Sequence, residues 1–211
     1  MKHRGSLSIG ILCLMLGLAS CSKPSPGAVL QPTLVPTPVE ESLIGYFPFK
    51  TGNTWEYEGT GMEYASYIQK VVNESGNRYQ ITMDNGATVS ANVVEVDNDK
   101  IVNTYREGEA YDNTNVLNKP SNINIIILMT PLKKGTFWIS EGNHYEIIQT
   151  DAAVTVPAGS FKDCIVVKAT FKDQTSHMNF YFRQGIGLVQ SEFVPDKGDL
   201  ITSKLKKYNI Q

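Results

Sequence analysis

The side chains best suited to chemistry are His144, His177, Glu146, Ser160, Cys164 and the carboxylate pairs Glu56/Glu58 and Asp97/Asp99. An imidazole can bind zinc or move a proton near neutral pH. His144 and Glu146 stand two apart, so on a strand they share a face. No cysteine pair and no H-E-x-x-H helix completes a zinc set around them. Ser160 follows Gly159 without the G-x-S-x-G elbow that exposes a nucleophile ahead of a helix. The carboxylate pairs sit where exposed strand faces and turns put them, and a glycosidase pair is defined by a spatial gap of about 5 to 9 Å, not by sequence spacing. Gly185-Ile186-Gly187 leads into a strand and so lacks the helix N-terminus that would hold a phosphate. The expectation is a non-catalytic protein with no cofactor and no metal. An exported hydrolase using a carboxylate or His144 as base is the alternative, and it needs a concave polar cluster that the strand alternation does not show.

The segments that must carry these residues begin with an address. Lys2 and Arg4 precede an uncharged run from Gly5 to Ser20 rich in Leu and Ile, the form of a secretory signal. The run is shorter than the about 20 apolar residues that cross a bilayer, and it ends in Leu18-Ala19-Ser20-Cys21. That quartet resembles the lipobox of bacterial lipoproteins. The resemblance implies cleavage before Cys21 and a diacylglyceryl thioether on its sulfur, so Cys21 is the expected lipidation site and membrane lipid its partner. Palmitate-like chains contribute about 0.8 kcal/mol per buried methylene, and two chains hold where one is marginal. The expected location is the cell envelope, exported and lipid-anchored at the outer face of the plasma membrane or at an outer membrane. Cys13 falls in the signal and Cys164 stands alone in the body, so no internal disulfide survives processing and the fold must rest on its core. Cys164 lies in a strand-like run over 163–168 and reads as a small buried apolar residue.

Prolines 24, 26, 32, 36 and 38 are interleaved with Ser, Thr and Gly, and no aromatic residue precedes Tyr46. In extended geometry of about 3.1 Å per residue, such a tether holds the body roughly 50 to 60 Å from the bilayer. The expected organisation is therefore a signal peptide over 1–20, lipidated Cys21 with a disordered tether over 21–43, and a single β domain over 44–211. All 20 aromatic residues lie in that last part, which is long enough to bury about 70% of its unfolded surface. With 19 Lys and Arg against 21 Asp and Glu, the chain lacks the basic excess of a nucleic-acid binder.

The body alternates with period two more often than 3.6, and Gly, Asn and Asp punctuate it. The alternation predicts strands over 54–60, 62–72, 78–83, 87–97, 100–106, 143–150, 152–156, 163–173, 177–183, 186–194 and 200–208. The apolar run over 122–129 predicts a further strand buried on both faces. About eleven or twelve antiparallel strands imply an all-β fold, a large curved sheet forming a half-barrel or open barrel. Lys204, Lys206 and Lys207 are expected as solvated charges on a strand edge.

Two octets match at an offset of 83, Pro48-Phe49-Lys50-Thr51-Gly52-Asn53-Thr54-Trp55 and Pro131-Leu132-Lys133-Lys134-Gly135-Thr136-Phe137-Trp138. Each reads as a Pro- and Gly-bracketed corner whose Trp enters the next strand. With Val154-Thr155-Val156-Pro157-Ala158-Gly159-Ser160-Phe161 and Tyr181-Phe182-Arg183-Gln184-Gly185-Ile186-Gly187-Leu188-Val189, they resemble a family of bacterial lipoproteins without an assigned activity, sometimes called TapB-like. The resemblance covers roughly residues 46 to 208. It implies a fold similar to the carriers LolA and LolB, an antiparallel sheet bent into a half-barrel with an apolar concave face, although no helical segment is evident to cover the mouth.

The expected function is binding of an apolar ligand or an envelope partner on the curved face, with an architectural role in envelope assembly as the other non-catalytic reading. Inward aromatics would line a ligand site, and the candidates are Trp55, Tyr57, Tyr79, Trp138 and Phe180. Core packing is the competing role for the two tryptophans.

Overall fold

The computed structural model describes residues 42–112, 114–172 and 174–211. The expected signal, Cys21 and the tether up to residue 41 lie outside them. The described residues form one compact unit, and among them the core begins at Leu43, itself 1% exposed.

Period-two segments separated by turns fold into twelve strands: β1 (Thr54–Thr60), β2 (Tyr67–Ser75), β3 (Arg78–Asp84), β4 (Val89–Val96), β5 (Lys100–Glu107), β6 (Ile125–Met129), β7 (Phe137–Ser140), β8 (Asn143–Val156), β9 (Gly159–Thr170), β10 (His177–Arg183), β11 (Gly187–Val194) and β12 (Ile201–Asn209). Consecutive strands pair antiparallel within each half of the chain, and β1 pairs with β12 to join the halves in the order β6-β5-β4-β3-β2-β1-β12-β11-β10-β9-β8-β7. Register shifts between Glu56 and Tyr57, Val71 and Asn73, Val93 and Val94, and Tyr181 and Phe182 mark bulges. Bulges bend a strand and raise its twist, which curls this sheet until its first and last strands face each other. The expected all-β curved sheet is the observed one, nearly closed into a barrel. Two 3₁₀ turns, Leu43–Tyr46 and Glu63–Ala65, are the helical elements among the described residues.

Four local expectations change. The predicted strand over 62–72 begins only at Tyr67, because the preceding residues fold as the second 3₁₀ turn. The predicted strands over 143–150 and 152–156 merge into β8, which keeps pairing with β9 through three register shifts. The strand predicted over 122–129 as buried on both faces is β6, an edge strand: Leu128 is fully buried, whereas Ile125, Ile126 and Ile127 are half-buried, Ile125 and Ile127 because they line the open interior of the barrel. Lys204, Lys206 and Lys207 lie on an interior strand, since β12 sits between β1 and β11, and of the three only Lys206 and Lys207 extend past the end of the β11 ladder at Lys204; Lys206 pairs with Glu56 across the β1–β12 ladder at 2.7 Å.

The two octets build the same corner. Asn53 Nδ2 donates to the Pro48 carbonyl at 2.7 Å, and Thr136 Oγ1 donates to the Pro131 carbonyl at 2.6 Å. Gly52 and Asn53 exchange main-chain bonds with Val71 on β2; Gly135 and Thr136 do the same with Ile147 on β8. Gly52 and Gly135 hold φ of 97° and 88°, a region that costs a side chain 1 to 2 kcal/mol, roughly. Each corner thus opens one six-strand meander.

The end of the barrel beside these corners is filled. The β10–β11 turn bonds back to the first 3₁₀ turn through Gly185 N–H and the Gly45 carbonyl, 2.6 Å apart. The long β8–β9 hairpin reaches across, and Ala158 N–H at its tip donates to the Leu205 carbonyl on β12 at 3.0 Å. The β11–β12 ladder has ended at Gln190 and Lys204, so that carbonyl would otherwise lack a strand partner on this side. Outside the barrel, the loop between β5 and β6 covers β3–β5. Gln80, fully buried, receives Val116 N–H and donates to the Thr114 carbonyl, over a second small core of Ala91, Val93, Tyr105, Ala110, Val116 and Leu117.

β6 and β7 meet without a strand ladder. Side chains of the β7 segment reach the β6 backbone instead. Trp138 Nε1 donates to the Ile126 carbonyl at 3.0 Å, Ser140 Oγ accepts from Ile126 N–H and donates to the Asn124 carbonyl, both at 2.8 Å, and Glu141 Oε1 accepts from Asn124 N–H at 2.9 Å.

Candidate functional site

The barrel interior holds a cavity of about 590 Å³, within the roughly 300–1,000 Å³ span of small-molecule sites. Its floor is built by the end of the first octet and the start of β1. Trp55 is 1% exposed and its Nε1 donates to the Ile186 carbonyl at 2.8 Å; Tyr57 donates its hydroxyl to the Leu188 carbonyl at 2.9 Å. The Gly-Ile-Gly-Leu run at the start of β11 is therefore the dock for both polar tips, which leaves the apolar ring faces of Trp55 and Tyr57 in the cavity wall. Tyr67 on β2 stacks on Tyr57 with ring centroids 4.4 Å apart. Burial pushes both phenols well above the ordinary value of 10.0, with their mutual repulsion adding to Tyr57, so both stay neutral and poor as bases.

Strand alternation supplies the walls. Met178, Phe180 and Phe182 lie at i, i+2 and i+4 on β10, and Ile81 and Met83 do so on β3. The mouth lies where the lining becomes exposed, at Met62, Tyr64 and Arg106. Part of its rim is the β1–β2 connection, folded inward. Gly59 permits this: a Cβ there would stand 2.2 Å from the Ala65 carbonyl carbon. Ser203 Oγ holds the turn down by donating to the Ala65 carbonyl at 2.7 Å, and Ser66 Oγ accepts from Gly59 N–H at 2.8 Å.

Of the five predicted ligand aromatics, Trp55, Tyr57 and Phe180 line this one cavity and Tyr79 and Trp138 do not. Tyr79 packs against Phe49 at 5.6 Å, and Trp138 stacks on Tyr145 at 5.5 Å beside the β6–β7 contact. Sequence reasoning missed Tyr67, Met178 and Phe182, although the last two stand two residues either side of Phe180 and the alternation carried their signal. It also missed the inward polar residues Asn92, Asn103 and Arg106, which look like solvent-facing positions until the sheet curls.

The catalytic candidates fall elsewhere. His144 and Glu146 do share a face, on β8, opposite in sense to the inward Tyr145; the His144 ring lies 5.7 Å from exposed Phe137. His177 is the first residue of β10 and pairs with Thr170, which also pairs with His144. Among the described residues, no three His, Cys, Asp or Glu side chains converge as metal ligands. Ser160 Oγ shares a hydrogen bond with Thr155 Oγ1, at 3.0 Å, on the β8–β9 tip. Cys164 is fully buried and burial pushes its thiol pKa up, which keeps it an inert core residue.

No protein-family model and no curated protein matches the chain, so the resemblance to TapB-like lipoproteins rests on its motifs alone. Two solved structures are similar to it. One is a Bacteroides fragilis protein described as exported and as having a YmcC-like fold, with a TM-score of 0.47 and 14% identity over 77% of this chain and 98% of that one. The other is a Parabacteroides distasonis protein described as a lipoprotein, with a TM-score of 0.45 and 11% identity over 78% of this chain and 98% of that one.

Proposed function

We propose that this chain is an envelope lipoprotein, anchored through acylated Cys21, whose barrel binds an apolar ligand in its interior without catalysing a reaction. The observation that carries the reading is the cavity: its floor aromatics turn their polar tips away into backbone carbonyls and present ring faces to an open interior. Each methylene moved from water into such a space contributes about 0.8 kcal/mol, so a chain of ordinary lipid length binds without any specific polar contact. Among the described residues, the wall offers tyrosine phenols and Arg106 as its titratable groups and no carboxylate or imidazole, which disfavours a hydrolase there. Native mass spectrometry of the unit from Val39 onward, prepared without detergent, tests the ligand. Adducts that leave on collisional activation are the expected result. Bare polypeptide from several hosts would remove the ligand.

The second reading, docking of an envelope protein, is favoured by one feature. Phe137 and Ile139 on the edge strand β7 are 54% and 57% exposed, and an apolar pair on a sheet edge is the kind of surface a partner covers.

A further inference from the structure

Among the described residues, the cavity wall holds a single charged side chain, Arg106, and no carboxylate to balance it. Arg106 lies at the mouth, at the end of β5, and its place is fixed from two sides. Asn122 brackets its main chain, accepting from Arg106 N–H at 2.9 Å and donating to its carbonyl at 2.8 Å. Its Nε donates to Asn92 Oδ1 at 2.9 Å. Among the described residues, no salt bridge engages the guanidinium and neither terminal nitrogen has a hydrogen-bond partner. A cation held at the opening of an apolar space with its fork free is a site for an anion.

A second observation points to the same place. Asn103 also lines the cavity, is 5% exposed, and donates its Nδ2 to Asn92 Oδ1 at 3.0 Å. Arginine can only donate, so the Arg106 bond fixes Asn92 with its oxygen inward, and that oxygen in turn fixes Asn103 with its amide nitrogen toward Asn92. Asn103 Oδ1 is left buried without a partner. A buried acceptor in this state lacks a bond that a donor on a ligand would supply. The asparagine pair and the arginine together ask for a head group that is anionic and also carries an O–H.

We propose that the cavity takes a single-chain anionic lipid of the lysophospholipid class, its acyl chain against Trp55 and its phosphate and a neighbouring hydroxyl at Arg106 and Asn103. This rests on the reading of the interior as an apolar ligand site and adds the polarity of the ligand and its direction, head at the mouth and tail on the floor. The anion gains the unpaired Arg106 charge, and the floor, with its polar tips already bonded, accepts only the chain.

The test is a titration followed by tryptophan fluorescence, with lysophosphatidylglycerol as the anionic probe and a monoacylglycerol of the same chain length as the neutral one, both below micelle-forming concentrations. The inference expects lysophosphatidylglycerol to bind at least tenfold more tightly, with an affinity that falls as salt rises while that of the neutral probe does not. Arg106→Gln should bring the anionic probe down to the affinity of the neutral one, Arg106→Lys should restore part of the preference, and Asn103→Leu should also weaken the anionic probe. Equal affinity for the two probes on the unaltered protein overturns the inference and leaves the apolar-ligand reading intact; it needs no variant to fold. Binding of neither probe overturns both.

Discussion

The barrel is closed twice, and the two closures differ although they follow the same corner. After the first octet, β1 pairs with β12 along its whole length, from Thr54 opposite Asn209 to Thr60 opposite Thr202. After the second octet, β7 reaches its counterpart β6 through the side chains of Trp138, Ser140 and Glu141. One tryptophan enters the interior and forms the cavity floor; the other caps a strand edge. A laddered closure shares its load among many main-chain bonds and yields only when the sheet does, whereas a side-chain closure depends on three residues and can open locally. The same sequence device therefore serves the site in one half and protects an exposed edge in the other.

The largest expected effect separates the two tryptophans. Trp55→Ala should lower global stability by about 3–5 kcal/mol, the usual cost of emptying a buried aromatic site. Trp138→Ala should cost less and show its loss as faster amide hydrogen exchange confined to β6 and β7. Equal global losses with no local opening would erase the distinction. Gly59→Ala comes next. It should cost about 1–3 kcal/mol as an overpacked site and lift the 61–66 turn from the mouth, seen as new proteolytic cleavage there.

Ser140→Ala should cost about 1–3 kcal/mol by leaving polar groups of the β6 backbone unpaired, again with exchange confined to the side-chain closure. The smallest effect is set by pH. Burial raises the folded-state pKa of Tyr57 and Tyr67 above the unfolded value near 10.0. Their contribution is therefore complete below that pH and is lost as pH climbs beyond it, because the unfolded chain releases the phenolic protons first. Urea midpoints should stay level through neutral pH and fall above about 10, and Tyr57→Phe should flatten that fall. A midpoint that rises there would contradict the burial.

Much of this was legible in the sequence because alternation reports which residues face one way. The bounds of β1 and β10 match the predicted segments, and Trp55, Tyr57 and Phe180 meet in one cavity as inward aromatics should. What was not legible depends on long-range closure. The run over 122–129 is apolar enough for a central strand, and only the end of the meander makes it an edge. Trp138 has the same local frame as Trp55, yet its neighbour across the sheet is β6 rather than the β10–β11 turn, so it leaves the cavity. Arg106, Asn92 and Asn103 carry no periodic signal that distinguishes a polar residue inside a barrel from one in water. The turn over Glu63–Ala65 depends on the missing Cβ of Gly59, a steric fact that strand periodicity does not register.

Two single-tryptophan variants, Trp138→Phe and Trp55→Phe, test the central claim most directly when titrated with a bromine-labelled alkyl chain that quenches indole fluorescence on contact. The account predicts strong quenching of Trp55, which lines the interior, and little of Trp138, which does not. Quenching of Trp138 alone, or of neither, would contradict an apolar ligand seated within the barrel.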